Sequence, residues 1–231
     1  MSATESDSGI VLLADAHIGG PGGEAGPLVE QLSQLPAAGA RRLVVMGDLF
    51  QAWVADPRYE TADVRAIVDA FAALRRVGVV VDYIEGNRDF FVADGDYASV
   101  FDSVGTETAF EAGGRRYLVV HGDGLNDRDR QYLFWRWLSK SRPVSWFMRH
   151  LPRALAQWLI HRTERRLADT NFKHKQRIPE EAICAYGARR FAEGYDRLLL
   201  GHFHEPRHWR VEGGEIRLLD AWFNTRRLEW V

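Results

Sequence analysis

The sequence predicts an α/β protein with substantial parallel strand pairing, on three observations. Five apolar runs of four to six residues recur along the chain, each bounded by polar residues or glycine. Ala- and Leu-rich amphipathic stretches separate the early runs, and a long interval without strand pattern precedes the last. Short continuous apolar runs fit strands buried on both faces, which is the situation of a parallel sheet covered by helices. IVLLA (10–14) is the first strand, a helix around 27–38 follows, and RLVVM (42–46) is the second strand. A second helix around 61–77 leads into VVVDYI (79–84), and YLVV (117–120) and RLLL (197–200) complete the set. HWRVEGGEIRLLDAWF reads as a hairpin turning at Gly213-Gly214, which adds antiparallel strands. The interval at 125–190 is divided by Pro143 and Pro152 into helical pieces, since each proline removes an amide donor. It reads as a helical cap inserted within a single domain spanning 1–231. The stretch GGPGGEAG (19–26) lacks the GK[ST] of a nucleotide P-loop and reads as a flexible connection.

Composition narrows the classes. A chain with 46% hydrophobic and 27% charged residues has the makeup of a folded globular protein rather than a disordered one. Cys184 is the only cysteine, so no disulfide framework exists and a reducing compartment is expected. The amino-terminal MSATESDSG lacks the basic and apolar parts of a signal peptide. No apolar stretch approaches the roughly 18 residues needed to span a bilayer, so a soluble or surface-bound protein is expected. Charge is unevenly placed. Residues 125–178 hold 13 Lys+Arg and 4 Asp+Glu, a local +9 that leaves −11 on the rest of a chain whose net charge is −2. Such a division suggests two working surfaces with different partners.

The residues that follow the five strands carry the chemistry. They are Asp15-Ala16-His17, Gly47-Asp48, Glu85-Gly86-Asn87-Arg88-Asp89, His121-Gly122-Asp123 and Gly201-His202-Phe203-His204. Ligands of open α/β sheets bind at the carboxyl ends of the strands. Asp15 and His17 are two apart, as are His202 and His204, so on extended backbone each pair points the same way. With Asp48, Asn87 and His121 they make seven candidate metal ligands, too many for one tetrahedral ion and suited to two. Imidazoles, carboxylates and one amide without a thiolate fit manganese, iron or zinc. Two ions about 3.5–4 Å apart need a shared ligand, and that role is assigned to Asp48. A lone histidine beside a strand is more often a packing residue than a ligand. Four of the eight histidines in one pattern, at one end of five strands, is another matter.

The pattern D-x-H, GD, GN-[polar]-D, HGD and GH-x-H resembles the calcineurin-like metallophosphoesterase superfamily, over about 10–124 and 195–222. The resemblance implies a two-sheet sandwich flanked by helices and a dinuclear site. Metal A would be held by Asp15, His17, Asp48 and His204, and metal B by Asp48, Asn87, His121 and His202. Most of that superfamily carries histidine where this chain has Arg88. Histidine can protonate a departing alkoxide, whereas arginine stays charged and cannot. Arg88 instead suits a leaving group that needs no proton, as in cleavage of a phosphoanhydride, where it can neutralise phosphoryl charge. The bland alternative is an arginine bracing Asp89 or Glu85.

GNRDF and HGDGLNDRDRQYLFWR narrow the resemblance to the UDP-2,3-diacylglucosamine pyrophosphohydrolases of lipid A synthesis. This implies hydrolysis with two Mn2+ per chain, Zn or Fe being possible, to UMP and 2,3-diacylglucosamine 1-phosphate (lipid X). It also implies a place on the cytoplasmic face of an inner membrane. Arg88, Asn87 and His121 would act in catalysis. Arg88, Asp129, Tyr132, Arg136, Asn171, Lys173 and His174 would contact substrate, and Asp89 and Asp123 would orient ligands. The chain departs from the family at Ala16, at Phe203 and in the stretch 171–175. Leu151, Leu155, Trp158 and Leu159 share one helical face, and Trp135, Trp137, Trp146 and Phe147 add large rings among the basic residues. Basic, Trp-rich amphipathic helices bind membrane interfaces, although such faces often pack on a core instead. The −11 remainder disfavours nucleic acid as a partner, and the sequence leaves the oligomeric state open. The alternatives are a metallophosphoesterase acting on another nucleotide pyrophosphate or phosphodiester, and a non-catalytic membrane-docking scaffold.

Overall fold

The computed structural model describes residues 8–125, 130–152 and 178–231, together with 155, 158 and 162. Two five-stranded sheets face each other with helices on their outer sides. Strands β1 (Ile10–Leu13), β2 (Arg42–Val45), β4 (Val80–Ile84) and β6 (Ser103–Gly105) run parallel in the first sheet, and β12 (Glu229–Trp230) pairs antiparallel with β1. The second sheet has the order β10 (Arg207–Val211), β11 (Gly214–Leu218), β9 (Arg197–Leu200), β8 (Arg115–Val120), β7 (Glu107–Ala112). Its three middle strands are parallel and its two edge strands antiparallel. A small parallel pair, β3 (Trp53–Val54) with β5 (Asp89–Phe90), lies beside them.

Alternation along each strand builds three apolar layers. Ile10, Leu12 and Ala14 meet Tyr117, Val119 and Leu199 between the sheets. Val11 and Leu13 face outward to helices α1 (Ala25–Gln34) and α2 (Ala62–Arg76), which contribute Leu28, Leu32, Ile67 and Phe71. Leu118, Val120, Leu198 and Leu200 face outward to α5 (Glu180–Ala192) through Ile183 and Phe191. Burial on both faces explains why the central strands read as continuous apolar runs. Thr61 begins α2 by accepting the Val64 N–H at 3.2 Å.

The five expected strands and the Gly213 hairpin are present. The strands that escaped sequence reading are β7, which pairs with β8 as a hairpin, and the two- or three-residue β3, β5, β6 and β12. Glu107–Ala112 is half exposed and polar, and the others are too short to show a period. Within 125–190 the described helices are α3 (Arg130–Ser139), α4 (Arg142–His150) and α5. Pro143 sits in the first turn of α4, where its missing N–H costs nothing, and Pro152 follows the helix end. The α5 helix packs on the second sheet and supplies the crossover that parallel β8 and β9 require.

The glycine-rich stretch is not a flexible connection. Gly19 N donates to Gly23 O, and Gly23 N to Gly20 O, at 2.9 and 3.0 Å. A β-carbon on Gly23 would lie 2.0 Å from the His17 carbonyl oxygen, so glycine is needed for this turn to close over the first strand end. None of the described helices is long and apolar enough to cross a membrane.

Candidate metal centre

The parallel strands of both sheets deliver their following residues to one rim. Atoms of Asp15, His17 and His204 lie within 4.8 Å of one another, and so do atoms of Asp48, His121 and His202. In the first group His204 Nε2 is 3.0 Å from Asp15 Oδ1 and 3.2 Å from His17 Nε2. In the second, His121 Nε2 is 3.2 Å from His202 Nδ1 and 3.6 Å from Asp48 Oδ1. Asn87 joins the second group through Oδ1, 3.2 Å from His121 Nε2. Asp48 faces both, because its other oxygen is 3.8 Å from His17 Nε2. The structure thus brings all seven expected ligands together.

The backbone achieves this differently from the sequence expectation. Asp15, His17, Asp48, His202 and His204 have φ of 48°, 46°, 49°, 70° and 57°, so neither D-x-H nor H-x-H is extended. They are five of the seven non-glycine residues in this left-handed region among those described. Each costs about 1–3 kcal/mol, a strain found at functional sites when surrounding structure fixes it. Here His17 N donates to Asp48 O at 3.0 Å, Gly201 N to His121 O at 3.0 Å and His202 N to Asp15 Oδ2 at 2.8 Å. The two sheets therefore lock each other's strand ends.

Burial sets the electrostatics. Asp15, Asp48 and His121 are almost wholly buried. Burial opposes ionisation of Asp15 and Asp48, but the surrounding imidazoles outweigh it and hold both carboxyls below their ordinary values. Burial also pushes His17 down, whereas for His121 the charges of Asp48 and Asp15 outweigh burial and raise it. His121 Nδ1 is 2.7 Å from the Met46 carbonyl, which can only accept, so Nδ1 carries the proton and Nε2 turns its lone pair to the site. Asp48 Oδ2 is fully buried and has no hydrogen-bond partner. A buried carboxylate oxygen without a hydrogen bond is costly even with a cationic side chain nearby. Lone pairs of carboxylates and imidazoles aimed into one space, with an orphaned carboxylate oxygen between the groups, fit a divalent cation at each.

Arg88 is buried against this centre. Its Nε is 3.5 Å from Asp48 Oδ2, its Nη1 donates to Gln51 O at 2.9 Å, and its N–H donates to Asp48 Oδ1 at 2.8 Å. The alternative of a brace for Asp89 or Glu85 does not match these contacts; Glu85 pairs with Lys140 at 3.5 Å. Asp89 Oδ2 accepts the N–H groups of Asp48 and Gly86 at 2.8 and 2.7 Å, which ties the second and third strand-end loops together. Burial and the Asp48 charge raise the Asp89 carboxyl to about 7. Asp123 accepts from Arg136 Nε at 2.5 Å. Burial opposes its ionisation, but the His121 and Arg136 charges bring it down to about 2.

Of the expected substrate contacts, Arg136 is thus engaged with Asp123. Tyr132 falls on α3, but its side chain, with Asp129, Asn171, Lys173 and His174, lies outside the described residues. So do Leu159 and the side chain of Trp135, whereas Phe134, Trp137, Trp146, Phe147, Leu155 and Trp158 are exposed. Sequence reading missed Lys140, whose Nζ donates to Gly86 O at 2.7 Å, Gln51, whose carbonyl accepts from Arg88, and Arg58, whose Nη2 donates to Met148 O at 3.2 Å near the end of α4. Nothing in their local pattern marks them, since each acts through a carbonyl contact made only in the fold.

No family model matches the chain. Among solved structures, the phosphopantetheinyl hydrolase of Mycobacterium tuberculosis aligns over 96% of this chain and 95% of its own, with 14% identity and a TM-score of 0.47. Curated relatives carry the assignment. A UDP-2,3-diacylglucosamine hydrolase of Ralstonia nicotianae is 28% identical over 227 residues, covering 92% of this chain and 83% of that protein. One of Aeromonas hydrophila is 29% identical over 192 residues, covering 81% and 79%. One of Pseudomonas putida is 31% identical over 213 residues, covering 89% of this chain and 86% of the relative. Similarity of that extent places this chain in the UDP-2,3-diacylglucosamine hydrolase family.

Proposed function

We propose that the chain hydrolyses the pyrophosphate of UDP-2,3-diacylglucosamine to UMP and 2,3-diacylglucosamine 1-phosphate, a step of lipid A synthesis. The observation that carries this reading is a buried arginine 3.5 Å from the carboxylate that two ligand groups share. Asp15, His17, Asp48 and His204 would hold one Mn2+, and Asp48, Asn87, His121 and His202 the other. Such ions supply Lewis acidity to phosphoryl oxygens and make water a competent nucleophile near neutral pH.

The residues of the chain do the rest. Water adds at the α-phosphorus and gives up its protons to solvent, the P–O bond to the sugar phosphate breaks, and the departing phosphate needs no proton, because its second pKa is about 6. Arg88 stabilises the charge spreading over the phosphoryl oxygens, and its anchor on Gln51 O fixes its plane before substrate arrives. His121 is held in one tautomer by Met46 O, and Asn87 offers a neutral oxygen beside it. Asp89 positions the Asp48 and Gly86 backbones. Asp123 sits beside His121 and is paired to the helix that would cover the substrate.

The cap would present Asp129, Tyr132, Arg136, Asn171, Lys173 and His174 to the lipid nucleotide. Exposure of Trp137 (67%) and Trp146 (63%), with a local +9 at 125–178, supports contact with acyl chains and with the anionic cytoplasmic face of the inner membrane. The test is mass-spectrometric detection of UMP from UDP-2,3-diacylglucosamine with Mn2+, using the wild type and Asn87→Ala. Release by the wild type, abolished by chelation and by the substitution, is expected. Turnover of bis(p-nitrophenyl) phosphate with none of the lipid nucleotide would replace this substrate by another phosphodiester or pyrophosphate.

A further inference from the structure

Arg136 and Lys140 lie one helical turn apart, the Lys140 N–H donating to the Arg136 carbonyl at 3.3 Å. Residues at that spacing share a face. Each reaches a different strand-end loop. Arg136 Nε donates to Asp123 Oδ2 at 2.5 Å, two residues beyond His121. Lys140 Nζ donates to Gly86 O at 2.7 Å, on the peptide that leads into Asn87, and pairs with Glu85 Oε2 at 3.5 Å. Glu85 is itself tied down, because its Oε1 accepts the Val92 and Ala93 N–H groups at 2.9 and 3.3 Å. One face at the end of α3 therefore grips the two loops that carry His121 and Asn87.

The other ligand group is braced from within the sandwich. His17 N donates to Asp48 O at 3.0 Å, and Asp15 Oδ2 accepts the N–H of His202, a member of the other group, at 2.8 Å. The Phe223 ring stands edge-on to both His17 and His204 at 5.2 and 5.0 Å. The asymmetry matters because Asn87 is a neutral amide. A carboxylate is drawn to a cation by its charge, whereas an amide contributes only where the backbone already holds it in place.

We propose that Lys140, assisted by Arg136, is a positioning residue that makes cation affinity at the Asn87–His121–His202 group depend on docking of α3. Affinity at the Asp15–His17–His204 group is independent of that contact. The inference rests on the two-ion reading above. Removing Lys140 takes the donor from the Gly86 carbonyl, a restraint on this peptide that comes from α3 beside the Asp89 and Asp48 bonds that flank it, and leaves Glu85 without its cation beside the site. A helix that shifts when the cap takes up its ligand would then change the occupancy of one ion and not the other.

The test is titration of Mn2+ alone into the metal-free full chain by calorimetry, with electron paramagnetic resonance of the loaded protein. The wild type is expected to bind two ions and give the spectrum of a coupled pair. In K140M one dissociation constant should rise roughly tenfold to a hundredfold while the other holds, and isolated Mn2+ should replace the pair signal. K140R, which keeps the donor and the charge, should restore both. R136M, acting through the His121 loop, should weaken the same ion, and K140Q takes the place of K140M if that variant shows no cooperative unfolding. Both affinities unchanged, or both weakened equally, would overturn the proposal. A wild type that binds fewer than two ions would instead refute the two-ion reading, so the two failures are told apart.

Discussion

Gly86→Ala is a single-carbon test of the centre. A β-carbon there would lie 2.4 Å from Asp48 Oδ1, 2.7 Å from Asp48 N and 2.9 Å from His121 Cε1. Ordinary contact begins at 3.4 Å, so the carboxylate would have to retreat by about 1 Å. It cannot rotate away freely, because Asp48 is fully buried and its Oδ1 already accepts the Arg88 N–H at 2.8 Å. A displacement of 1 Å in a catalytic constellation can cost about a hundredfold in rate, or about 2.7 kcal/mol of barrier. Overpacking should lower stability by only about 1–3 kcal/mol, leaving the protein folded. UMP release, Mn2+ titration and thermal unfolding would be measured together on Gly86→Ala and on Gly26→Ala. Gly26 lies in α1 with no atom within 4 Å of its added carbon. Gly26 stands in the first turn, directly before Pro27, so the control gains little from helix propensity and should leave kcat/KM unchanged. If Gly86→Ala kept kcat/KM within threefold of the wild type and bound Mn2+ normally, Asp48 would not be the hub of the site.

Arg88→Lys keeps a charge but loses the planar fork that reaches Gln51, so kcat/KM should fall by roughly a hundredfold to a thousandfold with Mn2+ binding retained; steady-state kinetics beside calorimetry checks both halves. Asp102→Asn tests a surface linkage. Burial opposes ionisation of Asp102, but Arg75 at 2.8 and 3.0 Å and the Val81 N–H at 2.8 Å outweigh it and hold its carboxyl below the usual 3.8. Its contribution is therefore present above pH 3.8 and lost as pH falls through the depressed folded value. The difference in urea midpoint between wild type and variant should be clear at pH 7 and shrink steadily below pH 3.8; a difference independent of pH would contradict the assignment. The double substitution Trp137→Ser, Trp146→Ser should weaken co-sedimentation with anionic phospholipid vesicles by roughly tenfold or more. Equal sedimentation of variant and wild type would move membrane contact elsewhere.

How much of this was legible in advance varies with how each feature is encoded. The five central strands announced themselves because both faces are buried, so Val, Leu and Ile occupy consecutive positions. β7 was missed because it is a half-exposed edge strand whose ETAFEA is mostly polar. The seven candidate ligands could be named because chemistry fixes residue type, and chain order fixes that each follows a strand. Their backbone could not: alternation suggested extended pairs, while Asp15, His17, His202 and His204 all turn through the left-handed region. Arg88 was legible as a chemical oddity, yet its partners Asp48 and Gln51 were not those suggested by its neighbours in sequence.

By itself the sequence determined the α/β class, the inventory of candidate ligands, the family resemblance and the concentration of positive charge in one segment. These are properties of residue type, local period and order along the chain, and none depends on distance. Tertiary structure decided which imidazole meets which carboxylate, that Asp48 turns one oxygen to each group, and that Lys140 reaches Gly86 from 54 residues away. The physical reason is that two sheets must pack face to face before their strand ends become neighbours. Only the closed sandwich holds the strained turns that aim those side chains at one another.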